Sequence, residues 1–284
     1  MPAPRDNLNG TMLTLGYPTI ASPMIPTPGK SWFVDSVNGS DSNSGHNWKN
    51  AFASLQEAEE HCVANRGDVV YFIGSSSGIT MTETLTWDKN YTHLVGLNAP
   101  TFMAQRSRIF HSANFSPGIT LSASGCIFKN FYFSYGRGNA GNLIALTVSG
   151  SRNYLENVHI AGPQHATEAA TATYHNLELT GSENLFNRCT IGNDTISVGT
   201  GIYSVNVDGA ATRNKFENCL FPLYISNGGA MFINFKDTTS ADRLQWFENC
   251  VFYSFSANHA TSMTTALTIP ANHQTMTVLM RYCT

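Results

Sequence analysis

Residues 68–284 are predicted to form a right-handed parallel β-helix, and three observations lead there: a motif that returns about every 30 residues, a second strand-like segment upstream of it, and a low charge content. FKNFYF (Phe128 to Phe133), LENVHI (Leu155 to Ile160), FNRCTI (Phe186 to Ile191), FENCLF (Phe216 to Phe221) and FENCVF (Phe247 to Phe252) align, and a sixth copy starts at Met280. Their fourth positions, Phe131, Val158, Cys189, Cys219, Cys250 and Cys283, are 27, 31, 30, 31 and 33 residues apart. A repeat of this length marks a solenoid. Some ten residues upstream each unit carries a short alternating strand and a turn: ITLSASG, LTVSGS, LELTGS, VNVDGA, INFKDT and LTIPAN. Each unit is thus strand, turn, strand, tight corner, strand and longer loop. One unit cannot bury its inner face alone, and stacking at roughly 4.8 Å closes a continuous core.

Composition agrees and removes several function classes. Only 12% of residues are charged, against roughly 25% in an average soluble domain. A net charge of -3 leaves no basic face for a phosphate backbone, so no nucleic-acid partner is expected. Apolar runs such as Val69 to Ile73 are far shorter than the roughly 18 residues of a membrane span, so no membrane partner is expected either. The opening MPAPRDNLNGTML lacks the basic start and apolar stretch of a secretory signal.

The motif assigns roles around the corner. Phe216 and Phe247 end the second strand inward, Glu217 and Glu248 face water, and Asn218 and Asn249 take the bend, because asparagine tolerates left-handed backbone better than most residues with a side chain. Asn130, Asn157, Asn218 and Asn249 are expected to form an asparagine ladder, interrupted by Arg188 and Tyr282. Cys189, Cys219, Cys250 and Cys283 then open the third strand inward. Their Cβ atoms, near 4.8 Å apart, are too far for disulfides, so a buried thiol stack is expected. A metal or redox row would want histidines at matching positions, and there are none.

Ahead of the repeats, residues 1–30 are proline-rich and aperiodic, an extended arm that needs a neighbour to order it. Residues 31–67 read as a cap: a helix starting near Asn50 presents Phe52, Leu55 and Cys62 on one face, turns Glu57, Glu59 and Glu60 mostly to water, and covers the first coil, whose strand is Val69 to Ile73.

WFVDSVNGSDSNSG, a short helix and GDVVYFIG together resemble the start of many pectate-lyase-like right-handed β-helix proteins. That superfamily includes bacterial polysaccharide enzymes and virion proteins of tailed phages, and the resemblance covers about residues 31–284. It implies the fold more sharply than an activity, since one fold hosts many functions. It also implies where to look, because catalytic groups in these enzymes commonly project outward from the first strand and its bordering loops. Those outward positions are Thr120, Thr147, Glu178, Asn206, Asn234 and Thr268, of which Glu178 alone ionises, with no evident second carboxyl for glycoside hydrolysis. The polygalacturonase-like segments Asn-Thr-Asp, Asp-Asp, His-Gly and Arg-Ile-Lys do not occur, and Asp194, Asp208, Asp237 and Asp242 fall in different loops, not as the calcium set of a pectate lyase.

Four other groups invite a functional reading. Glu217 and Glu248 stand on adjacent coils about 5 Å apart, the spacing of a carboxylate pair and equally of a solvated face. Asp35, Asn38, Asp41 and Asn43 have calcium-like oxygen spacing but are also common turn formers, and the expectation is no metal and no cofactor. His165 and His175 share the loop from Gly162 to Asn176, where a lone histidine is usually a surface residue. Tyr135, Tyr174, Tyr203, Tyr224, Tyr253 and Phe255 recur along the edge after the third strand, as a contact surface for sugar or subunit or as local packing.

Two functions follow. The first is a non-enzymatic virion surface protein of a tailed phage, a capsid decoration protein or short spike, bound to other virion proteins through residues 1–30 and forming a homotrimer. It would assemble in the host cytoplasm without a signal peptide. The second is a polysaccharide-binding or polysaccharide-degrading lyase or hydrolase of the tailspike type.

Overall fold

The computed structural model describes residues 28–75, 77–236, 238, 240, 242–256, 262–271 and 276–284. The expected arm lies outside them except for its last three residues. Among the described residues the strands pair in parallel, in one fifteen-stranded and one seven-stranded sheet. The smaller sheet follows chain order through Leu85–Trp87, Ile119–Leu121, Ile144–Val148, His175–Leu179, Tyr203–Val207, Met231–Phe235 and Leu267–Thr268. Each strand therefore meets its counterpart one coil later, which is a parallel solenoid.

The predicted spine is present in the predicted register. Phe128, Leu155, Phe186, Phe216 and Phe247 are paired from coil to coil and all are fully buried. Phe186 and Phe216 stack at 4.6 Å and 8°, Phe216 and Phe247 at 4.9 Å and 5°. Those separations are the inter-strand spacing itself, so the rings repeat with the backbone.

The corner residues all adopt left-handed backbone: φ is 62° at Asn130, 52° at Asn157, 54° at Arg188, 55° at Asn218, 51° at Asn249 and 54° at Tyr282. The corner is held mainly by main chain, since Arg188, Asn218 and Asn249 each donate their N–H to the carbonyl of the next coil's Glu217, Glu248 and Arg281 at 2.9 Å. The expected side-chain ladder is shorter than the sequence suggests. Asn157 Nδ2 donates to Asn130 Oδ1 at 2.8 Å, both side chains buried. Asn218 and Asn249 are exposed; Asn218 instead donates to Asn187 Oδ1 at 3.3 Å. Water competes for those exposed amides, so nothing forces them to pair.

A second ladder runs along the turn between the first two strands. Asn184 Oδ1 accepts from Asn153 N–H at 2.9 Å, Asn214 Oδ1 accepts from Asn184 N–H at 2.9 Å, and both asparagines donate to turn carbonyls, Gly150 and Gly181. Asn153, Asn184 and Asn214 are buried. Beside them Ser124, Ser151 and Ser182 accept from the N–H groups of Ser151, Ser182 and Thr212. Outside, Glu183 bridges Arg152 and Arg213 at 2.7 Å each.

Cys189, Cys219 and Cys250 are buried free thiols and Cys283 is half-buried. Their Sγ atoms donate to the carbonyls of Leu155, Phe186, Phe216 and Phe247 at 3.4, 3.3, 3.4 and 3.5 Å. Every thiol is thus satisfied one coil back, and burial pushes Cys219 well above the ordinary thiol range.

The cap differs from expectation in detail. Its helix, α1 (Leu55–His61), starts later than Asn50, because Asn47 caps a single 3-10 turn at Trp48–Asn50 and Ser54 then caps α1. Glu59 is buried rather than turned to water, its carboxylate 2.6 Å from Lys89 Nζ. Ser31–Val34 pairs with Val69–Phe72, so the long sheet begins inside the cap. At the far end the last coil leaves Val251, Ile269, Leu279, Met280 and Tyr282 exposed.

Candidate functional site

The outward row of the seven-stranded sheet is in register from Thr86 through Thr120, Thr147, Glu178, Asn206 and Asn234 to Thr268. Leu177 and Leu179 enter the core, and Glu178 between them faces out, as strand alternation requires. At this rung the face deepens into a cleft of about 380 Å³, walled by Leu143, Ile144 and Thr173, floored by His175, Glu178 and Asn206, and bounded by Tyr203, Asn234 and Lys236.

Glu178 has the partner that its sequence context does not show. His175 Nε2 lies 2.5 Å from Glu178 Oε2, and both residues are more than nine-tenths buried. The Nε2 direction falls off the line to the carboxylate, so this is a charge contact rather than an aligned hydrogen bond. His175 Nδ1 is 2.8 Å from Thr173 O. A carbonyl only accepts, so Nδ1 carries a hydrogen. Two bare lone pairs 2.5 Å apart would repel, so the Nε2 to Oε2 contact holds a further proton on one side or the other. Thr173 presents that carbonyl from left-handed backbone, φ 73°, a costly conformation for a β-branched residue.

Glu178 Oε2 also accepts from Asn206 Nδ2 at 2.8 Å, and Asn206 Oδ1 accepts from Asn234 Nδ2 at 2.6 Å. Lys236, at the rim, pairs with Asp208 at 2.5 Å. Among the described residues Glu178 is thus the one carboxylate lining the cleft, beside an imidazole and two oriented amides, a set suited to moving one proton and to hydrogen-bonding hydroxyls.

The wall of the cleft is tied down by a carboxylate that sequence reading passed over. Glu168, in the short α2 (Ala166–Ala169), is fully buried. Its Oε1 accepts from the N–H groups of Arg137, Gly138 and Asn139 at 2.7, 2.8 and 3.0 Å. Burial alone would raise its pKa, but these backbone donors hold it below the ordinary carboxylate range. It clamps residues 137–139 to the loop that delivers Thr173 and His175.

No protein-family model matches this sequence, and no curated protein does. Solved structures do match. A rhamnogalacturonan lyase superposes on 88% of this chain with a TM-score of 0.57 at 16% identity, and the chain covers 65% of that protein. Pectin methylesterase PemA from Erwinia chrysanthemi superposes on 82% of this chain and 68% of its own, with a TM-score of 0.50 at 17% identity. The chain is a right-handed parallel β-helix. Geobacillus virus E2 ORF18 overlaps 70% of it and 44% of its own length, at a TM-score of 0.45 and 16% identity. At such identities the likeness is one of fold.

Elsewhere on the β-helix the remaining candidates resolve into structural roles. Lys215 sits 3.0 Å from Glu217 and 2.7 Å from Glu248, so the in-register carboxylate pair is bridged by a cation. Asp35 accepts from the N–H groups of Val37 and Asn38, and Asp41 from those of Ala53 and Ser54, the work of turn formers. Asn38 donates to Asp35, and Asn43 to Ala51 O. His165 is an exposed N-cap of α2, as a lone loop histidine should be, whereas His175 is not. Asp194 accepts from Tyr253 Oη at 3.2 Å, and Asp237 lies outside the described residues.

The expected aromatic edge separates into three environments. Tyr135 and Tyr174 are fully buried, which removes them from any contact surface; burial pushes Tyr135 up to about 12 and Tyr174 well above the ordinary phenol range. Tyr203 begins a strand of the seven-stranded sheet and belongs to the cleft. Only Tyr224, Tyr253 and Phe255 form an outer ridge, with Tyr224 and Phe255 stacked at 4.7 Å and 16°. Their facing surfaces are taken up by each other, which favours packing over sugar stacking.

Proposed function

We propose that this β-helix binds a polysaccharide along the outward row of its seven-stranded sheet and that His175 and Glu178 are the proton-transferring pair of that groove. The observation that carries the reading is the 2.5 Å contact of the two side chains on the floor of the cleft, inside a row of uncharged threonines and asparagines. Such a row offers hydrogen bonds at each coil to a hydroxyl-rich chain. With Glu178 as the lining carboxylate, the site suits proton abstraction rather than hydrolysis by two carboxyls. The named substrates of the superposed enzymes, rhamnogalacturonan and pectin, are the first ligands to test. Binding is measured by calorimetry alongside an assay for unsaturated products. Glu178→Gln and His175→Gln should weaken binding or turnover about tenfold, or about 1.4 kcal/mol. A protein that ignores every polysaccharide offered, or variants indistinguishable from the parent, would overturn the reading.

A second reading is a structural protein of a tailed-phage surface, for which exposed apolar side chains such as Val251, Phe255, Leu279 and Met280 offer contact area. Such a surface suits burial in an assembly, a trimer or a particle, anchored by residues 1–30. The test is the mass of the native protein with and without those residues, a monomer in both cases counting against it.

A further inference from the structure

We propose that Asn234, two coils away from Glu178, is a positioning residue: through Asn206 it sets the direction of a hydrogen-bond ladder that ends on Glu178 and keeps the shared proton on His175. The inference rests on His175 and Glu178 being the working pair of the groove.

Asn206 turns its NH2 to Glu178 Oε2 at 2.8 Å, the orientation that suits an ionised carboxylate, which can only accept. Its oxygen then faces the next coil, where Asn234 Nδ2 meets it at 2.6 Å. The three side chains stand on successive rungs of one sheet face, so neither amide can turn over alone without placing oxygen against oxygen or NH2 against NH2. Turning both over together would need a hydrogen on Glu178 Oε2, so the direction of the ladder and the place of the proton are tied, and in the direction seen Glu178 receives a donor on the oxygen that touches His175. On the other side Thr173 O fixes the hydrogen on His175 Nδ1. A donor at Oε2 stabilises the ionised carboxylate. The remaining proton accordingly belongs on Nε2, leaving His175 as the acid and Glu178 as the anion.

The discriminating variant is Asn234→Asp. An aspartate cannot donate, so Asn206 is drawn to turn its NH2 toward residue 234 and its oxygen toward Glu178. Glu178 then relieves the clash by taking the proton. Simple electrostatics predicts the opposite, because a further negative charge nearby favours a cationic His175. The readout is the 15N resonance of His175 Nε2 in the full-length protein. In the parent both ring nitrogens should appear protonated. In Asn234→Asp, Nε2 should move to the position of a bare ring nitrogen. A folded Asn234→Asp protein whose Nε2 stays protonated overturns the proposal. So does a bare Nε2 in the parent, which settles the matter should the variant not fold. Neither result depends on polysaccharide binding, so failure of the ladder and failure of the proposed function are separately visible.

Discussion

Asn157 donates to Asn130 Oδ1 at 2.8 Å across one coil, and both residues are buried with left-handed backbone. Two effects coincide in that pair, a strained corner and a buried amide bond, and other corners of the same molecule separate them.

Asn157→Ala removes the side-chain bonds to Asn130 and Gln105 and adds the cost of alanine in left-handed backbone, so a loss of about 2 to 4 kcal/mol is expected in urea unfolding. Asn249→Ala, at an exposed corner, should show only that backbone cost, about 1 kcal/mol. Asn249→Gly should be neutral or stabilising. Equal losses at the two alanine sites would show that the buried amide adds nothing.

Asn184→Leu removes a side chain that accepts from Asn153 N–H and donates to Gly150 O in the interior. Two buried main-chain groups lose their partners, and unfolding should become easier by at least about 2 kcal/mol. Hydrogen exchange of the Asn153 amide gives the local check, since that proton should lose its protection first.

His159 gives the fold a pH dependence. Burial pushes it from 6.5 down to about 4, with Nε2 bonded to Gly192 O and Nδ1 accepting from Ala104 N–H. The unfolded chain therefore binds a proton between those values that the folded chain refuses. The contribution of neutral His159 is complete above pH 6.5, declines as pH falls, and levels off near 4. The slope is about 1.4 kcal/mol per pH unit for each such group. His111, also pushed down to about 4, acts in the same direction. His159→Gln should flatten the dependence of the urea midpoint between pH 6.5 and 4.5, and an unchanged slope would remove His159 from the account.

The thiol column should be chemically silent. Cys189, Cys219 and Cys250 are buried beyond a reagent's reach, and desolvation pushes the Cys219 thiol up, whereas Cys283 is partly open to solvent. Iodoacetamide at neutral pH should label Cys283 alone among these four in the native protein. Modification of Cys219 without unfolding would mean that the last coils open readily.

The stacked core was legible because its signal is periodic: Phe186, Phe216 and Phe247 recur with a cysteine three residues later, and a repeated inward position needs no tertiary information. The pairing of His175 with Glu178 was hidden for the opposite reason. Residues three apart on a strand ordinarily face opposite ways, so spacing argues against the contact that the local backbone makes. The buried ladder was hidden by its variable middle residue. Ser151-Arg152-Asn153, Ser182-Glu183-Asn184 and Thr212-Arg213-Asn214 share only their outer members, and the side chains of those outer members make the serine and asparagine rails while the middle ones pair on the outside. The asparagine corner misled in part because pattern shows which residues turn the chain and not which of them escape water.

The coils keep register through their two tighter turns, one holding the serine and asparagine rails and the other the left-handed corner. Length variation gathers instead at the third turn, residues 135–143, 162–174, 199–202 and 226–230 between consecutive strands. Those segments lead into the strands that carry the groove. Registration and recognition therefore occupy different parts of every repeat, and a lineage could lengthen, shorten or replace the groove's wall while the stack beneath it kept time unaltered.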